Sequence, residues 1–140
     1  MFRLAICLLA VIFLAFSASA FGQASAKKPW EVLEERIMNT PHGERGKIIR
    51  QTISLGRKSY DKGDYRSALE YFKVATRYSD NHEIFANAAH SAYKFGDRDL
   101  AALYLKKAVG AAVKVKRFKN IERYNREILS IYSILPKTPE

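Results

Sequence analysis

The stretch Ser59-Tyr60-Asp61-Lys62-Gly63-Asp64 returns 33 residues later as Ala92-Tyr93-Lys94-Phe95-Gly96-Asp97. Both read small-Tyr-x-x-Gly-Asp, and the register continues beyond them. Ala68, Phe72 and Ala75 follow Gly63 at the distances at which Ala101, Leu105 and Ala108 follow Gly96. An isolated Gly-Asp carries no information. The whole run G-D-x3-A-x3-[FL]-x2-A occurring twice marks an internal repeat, and a fixed period of this size signals supersecondary units that stack on one another.

Each position in the run has a physical role. Gly63 and Gly96 can adopt positive φ, so each can close a helix. Asp64 and Asp97 can accept hydrogen bonds from the free N–H groups that open the next helix. Ala68 and Ala101 are small where two helices would cross. Phe72 and Leu105 stand a turn later and can fill the space between them, and Ala75 and Ala108 complete an i, i+4, i+7 stripe. Upstream, Thr52, Leu55, Gly56 and Ser59 share one helical face, as do Phe85, Ala88, Ala89 and Ala92. A glycine inside a helix costs up to about 1 kcal/mol relative to alanine. Gly56 therefore predicts a close backbone approach. The fold class expected is all-α, a short solenoid of helical hairpins.

This pattern resembles the tetratricopeptide repeat, W-x2-L-G-x2-Y followed by A-x3-F and then P. Repeat one supplies Leu55-Gly56, Ala68-x3-Phe72 and Ala75. Repeat two supplies Phe85 at the Trp position, then Ala88-Ala89, Ala101-x3-Leu105 and Ala108. Several positions depart from the signature. Thr52 replaces the first aromatic, Ser59 and Ala92 replace the Tyr with a Tyr one residue later, and the closing Pro is missing from both. The resemblance covers residues 49–109, and Sel1-type and other helical-pair repeats share the same hairpin unit.

The N-terminus reads as an address. The chain has 140 residues with 24 Lys+Arg, 14 Asp+Glu, a net charge of +10 and a hydrophobic share of 48%. Its first 26 residues hold one charge, Arg3, ahead of an apolar run from Leu4 to Phe16. Thirteen helical residues rise about 20 Å, short of a bilayer core of about 30 Å. Ala18-Ser19-Ala20 and Ala24-Ser25-Ala26 both fit a small-residue cleavage pattern. The expected organisation is a signal peptide over 1–20 (or cleavage after 26), an arm with a short helix over 21–46, a repeat domain over 47–135 and a tail over 136–140. Within that domain, repeats occupy 49–80 and 82–113, and a capping helix 114–135. A periplasmic or secreted location follows, with an uncleaved membrane anchor as the alternative. Removing the first 26 residues also removes Cys7, the single cysteine, and leaves a charge of +9. Such a mature chain has no disulfide, thiolate zinc site or cysteine nucleophile.

The flanks supply further helices. Trp30, Leu33, Ile37 and Met38 form one stripe ahead of the breaker Asn39-Thr40-Pro41-His42-Gly43; the alternative is a mobile arm with an exposed Trp. Val113, Phe118, Ile121, Ile128, Ile131 and Leu135 form the stripe of a long C-terminal helix, which would cap the solenoid. Its wide apolar girth makes Ile128, Ile131 and Leu135 a candidate self-association surface. Lys106 to Arg126 carries eight cations against Glu122 alone. Within it Lys114, Lys116, Arg117, Lys119 and Arg123 form a basic surface suited to an anionic lipid or polyanion. Phe118 and Tyr124 are interleaved there, but no recognition-helix or RNA motif accompanies them, and export argues against nucleic acid.

In tetratricopeptide proteins, the helix-A face opposite the packing stripe lines a concave groove for a peptide or helix. The resemblance places Arg50, Arg57 and Tyr60 of repeat one there, with Ile53 and Asp61. From repeat two it places Asn87, His90, Tyr93 and Lys94, with Glu83 and Ala86. Arg57, Tyr60, Tyr93 and Lys94 would make that groove mildly basic and aromatic, suited to an acidic or aromatic protein segment. The family's carboxylate clamp is not reproduced, since Ile53 and Arg57 stand where it has Lys and Asn and only Asn87 agrees. Chemistry has little support: His82 and His90 are about 12 Å apart along a helix, too far to share a metal. No cofactor or metal is implied. The function expected is an exported adaptor or accessory subunit of an envelope or secreted complex, acting as a scaffold through protein binding rather than as an enzyme. The alternatives are an anionic-surface binder and a structural homo-oligomer.

Overall fold

The computed structural model describes residues 26–133. The N-terminal apolar segment, Ile134, Leu135 and the 136–140 tail lie outside the described residues. Six helices follow in order: α1 (Pro29–Asn39), α2 (Arg45–Asp61), α3 (Tyr65–Tyr78), α4 (His82–Phe95), α5 (Arg98–Lys114) and α6 (Phe118–Ser133), with a single 3-10 turn at His42–Glu44. No strand occurs among the described residues. Each helix packs on the next, and α1 also touches α3. The fold is an all-α, solenoid-like array in which α2–α3 and α4–α5 are the two repeated hairpins.

Both repeat turns form as their sequence implies. Gly63 and Gly96 have φ of 79° and 102°. The N–H of the following Asp reaches back to Ser59 O at 3.0 Å and to Ala92 O at 2.9 Å, closing each helix in the manner of a Schellman motif. The Asp carboxylates then cap the next helix. Asp64 Oδ1 accepts from Ser67 N at 3.1 Å, and Asp97 Oδ1 accepts from Leu100 N at 2.9 Å. The Ser67 hydrogen bonds hold the Asp64 carboxyl below its ordinary value.

The α5–α6 junction differs from expectation. The apolar stripe predicts one helix over 114–135. That helix begins later: α5 runs to Lys114 and α6 starts at Phe118, and the turn between them repeats the Schellman geometry with Lys116 in the left-handed position at φ 56°. Arg117 N donates to Ala112 O at 2.9 Å. A lysine there costs roughly 1 kcal/mol relative to glycine. Val113 and Phe118, expected on the buried stripe, are consequently exposed at the corner.

The core runs through α3, α4, α5 and the inner face of α6, with Ala68, Phe72, Ala88, Ala89, Ala101, Leu105, Ala108 and Tyr124 all nearly inaccessible. Gly56 faces the Phe72 ring rather than another backbone: an added Cβ would lie 3.0–3.2 Å from three ring atoms. A second cluster seats α1 through Leu33 and Ile37 against Ile48, Tyr71 and Val74. Trp30 meets Tyr71 edge-on at 5.7 Å, and Arg77 of α3 pairs with Glu34. Met38 lies about 100° around the helix from Ile37 and is exposed. The buried Thr52 and Ser91 hydroxyls are satisfied within their own helices, through Ile48 O and Asn87 O, each at 2.9 Å.

Candidate functional site

The first turns of α2, α4 and α6 do not form the site; their middles and C-terminal halves do. One hollow, of about 270 Å³, is lined by Arg57, Tyr60 and Asp61 of α2, Asn87 and His90 of α4, and the ring of Phe72 at its floor. A second, of about 240 Å³, is lined by Ala89, His90 and Tyr93 of α4, Leu105 of α5, and Glu127, Ser130 and Ile131 of α6. His90 lines both, so the two hollows abut and form a trough across α2, α4 and α6. The repeat period explains the geometry. Gly56 and Ala89 are equivalent positions, as are Phe72 and Leu105, so each helix pair leaves a depression over its large apolar residue.

Five of the seven sequence-expected groove residues line this trough: Arg57, Tyr60, Asn87, His90 and Tyr93. Tyr60 is steadied by an edge-on contact with Tyr65, 5.1 Å between centroids. Two do not line it. Arg50 borders a separate hollow at the α1–α2 corner with Thr40, Glu44 and Lys47. Lys94 is exposed and borders neither part of the trough. Ala86 is buried and Ile53 packs on the core, although the helical period places both on the open face. Ala86 is drawn in because α4 is flanked by α3 and α5, and Ile53 because α2 packs along α3.

The trough is not basic as expected. Asp61 stands beside Arg57, and Glu127 Oε2 lies 2.9 Å from His90 Nε2. Glu127 is also 3.7 Å from Arg123 Nε. Polar groups of both signs therefore ring two apolar floors.

A buried polar pair anchors α6 nearby. His82 Nδ1 and the Tyr124 hydroxyl are 2.9 Å apart. Arg123 donates to the same hydroxyl oxygen at 3.2 Å and lies over the Tyr124 ring at 4.9 Å. The hydroxyl oxygen thus accepts from Arg123 while one further hydrogen bond joins it to His82 Nδ1, its direction set by the imidazole tautomer. Burial pushes the phenol above its ordinary value, partly offset by Arg123. Sequence reasoning reaches neither this pair nor the His90–Glu127 pair, because their partners lie 42 and 37 residues apart and no local pattern joins them. A histidine and a tyrosine on otherwise apolar packing faces are the only signal.

The remaining expected residues fall elsewhere. Lys114, Lys116, Arg117 and Lys119 cluster at the α5–α6 corner, whereas Arg123 is engaged with Tyr124 and Glu127. Ile131 is buried and Ile128 packs on the core. Ile131 also lines the second hollow, and Leu135 lies outside the described residues. Among the described residues, no group of three or more His, Cys, Asp or Glu could hold a metal ion, and no helix is long and apolar enough to cross a membrane. No family model matches the chain, and no characterised protein matches it significantly in sequence.

Proposed function

We propose that the chain is a divergent tetratricopeptide-like interaction module whose trough over α2, α4 and α6 holds a segment of a partner protein. The observation that carries this reading is the pair of abutting hollows sharing His90, each with an apolar floor and a polar rim. Such a surface can seat an apolar side chain over Phe72 and another against Leu105 and Ile131. Asn87, Arg57 and Asp61 are then free to bond the backbone or polar groups of the incoming segment. Because the rim holds Arg57 against Asp61 and Glu127, the fitting segment is amphipathic and of mixed charge rather than acidic. The chain would act as an adaptor or accessory subunit. Its placement in an envelope or secreted complex rests on the N-terminal sequence alone.

A photo-reactive residue at position 87 should capture a defined partner in the native host. The same probe at Leu103, exposed on α5 and absent from both hollows, should not. Substituting Arg57, Asn87 and Tyr93 together by alanine should abolish partner recovery while circular dichroism stays unchanged. Identical adducts from positions 87 and 103, or recovery unaffected by the triple substitution, refutes the groove reading.

A further inference from the structure

We propose that the corner between α5 and α6 is a docking element for a membrane surface rich in anionic lipid headgroups. The sequence across it is Val113-Lys114-Val115-Lys116-Arg117-Phe118-Lys119. Val113, Val115 and Phe118 are 55%, 58% and 73% exposed, and all four cations are exposed with them. No carboxylate occurs between Asp99 and Glu122. The one acidic group paired there is Asp80, 3.4 Å from Lys114, with both side chains largely in solvent.

Three apolar side chains alternating with four cations fit a bilayer boundary better than the other anionic partners. A soluble polyanion needs the cations but gains nothing from an exposed Phe and two exposed Val. The centre of a protein interface is depleted of charge, and here a cation adjoins each apolar residue along the sequence. At a bilayer surface both kinds of group are satisfied at different depths: apolar side chains enter the acyl boundary while Lys and Arg stay at phosphate level. The backbone adds an independent observation. The two equivalent turns place Gly63 and Gly96 in the left-handed position, whereas this turn places Lys116 there at φ 56°. A residue held in an unfavourable backbone region is often kept for its side chain, and Lys116 sits at the tip of the corner.

The test uses the full chain carrying Phe118→Trp, with vesicles of 30% phosphatidylglycerol in phosphatidylcholine and vesicles of phosphatidylcholine alone, each with brominated acyl chains as quencher. The wild-type chain corrects for Trp30. The readout is local to position 118, so attachment through the apolar N-terminal segment does not mimic it. Expected is quenching of the introduced indole on the anionic vesicles alone, lost at high salt. Replacing Lys116, Arg117 and Lys119 by Gln should weaken it on the order of a hundredfold, at about fivefold per cation. In a second arm, wild type and Phe118→Ser are compared by the excess of cosedimentation with the anionic vesicles over phosphatidylcholine vesicles, which cancels attachment through the N-terminal segment, and by retention on immobilised heparin. The serine variant should bind the vesicles less and heparin unchanged. Absence of quenching at position 118 overturns the proposal, as does equal quenching on both vesicles. Equal vesicle binding by wild type and Phe118→Ser assigns the corner to soluble polyanions and equally overturns it.

Discussion

Replacing Gly56 by alanine tests the packing that shapes the floor of the trough. In an unhindered helix interior the change stabilises by about 1 kcal/mol through helix propensity. Gly110 of α5 is such a site, with nothing within 4 Å of an added Cβ. At Gly56 the new Cβ would lie 3.0, 3.1 and 3.2 Å from three atoms of the Phe72 ring, and that ring is 1% exposed and cannot swing into solvent. Overpacking of this kind costs about 1–3 kcal/mol. The net for Gly56→Ala is therefore a destabilisation of about 1 kcal/mol, or a Tm lower by about 4 °C for a domain of this size. Gly110→Ala should raise the Tm by a similar amount. Repeat two supplies the control, because it uses Ala89 opposite Leu105 where repeat one uses Gly56 opposite Phe72. Phe72→Leu alone leaves a cavity and costs about 1–2 kcal/mol. Combined with Gly56→Ala, it rebuilds the repeat-two pair, and the double variant should be at least about 1 kcal/mol more stable than the sum of the singles. Urea unfolding followed by circular dichroism gives all four values. If Gly56→Ala stabilises as much as Gly110→Ala, or the cycle shows no coupling, then Phe72 is not the residue that makes glycine necessary.

Other substitutions separate the remaining contacts. Tyr124→Phe leaves His82 Nδ1 buried without its 2.9 Å partner and should cost about 1–3 kcal/mol in urea unfolding. The fold holds the Tyr124 phenol above its ordinary value of 10.0. The folded state therefore keeps its proton where the unfolded state loses it. The associated stability is present below pH 10 and declines as pH rises through the elevated folded value; the difference between wild type and Tyr124→Phe should shrink over that window. Asp97→Ala removes the cap that Leu100 N uses and should lower stability by about 1 kcal/mol, read as an earlier thermal midpoint. Lys116→Gly relieves the left-handed lysine and should stabilise the fold by about 0.5–1 kcal/mol. Combined with Phe118→Trp, it should also reduce quenching at position 118 on anionic vesicles. A loss of stability there would show that the Lys116 side chain supports the turn.

The turns at 63–64 and 96–97 were legible because glycine and aspartate solve a local problem, and local problems leave local residues. Most of the trough was legible for the related reason that helical period fixes which side chains oppose a packed face. The helix break at 115–117 was hidden because Lys116 occupies the place where a closing turn is normally announced by glycine. With no breaker in the sequence, Val113 joined the stripe of the last helix and that helix was started at 114 rather than 118. Ala86 was misplaced because period alone does not reveal how many neighbours a helix has, and α4 has one on each side. Glu127 and the His82–Tyr124 pair depend on where α6 lands against α4, and that register is tertiary.

Helix α6 is where these threads meet, and its position explains why its faces differ. As the last described helix, it packs on the preceding hairpin through Ile121, Tyr124, Ile128 and Ile131. An interior hairpin helix such as α4 gains its second neighbour, α3, from the preceding unit, and apolar contact alone can fix it. On α6 apolar contact is confined to one side, and two polar links to α4, His82–Tyr124 and His90–Glu127, set its rotation. That rotation places Glu127 and Ser130 on the wall of the trough. It also leaves Phe118, Leu129 and Tyr132 exposed. A variant that breaks both links, Tyr124→Phe with Glu127→Ala, should therefore loosen α6 before it unfolds the hairpins. Amide hydrogen exchange should accelerate in 118–133 with little change in 65–95. Uniform acceleration throughout the array would instead mean that the last helix and the repeats form one cooperative unit, and that the polar links add stability without setting the shape of the trough.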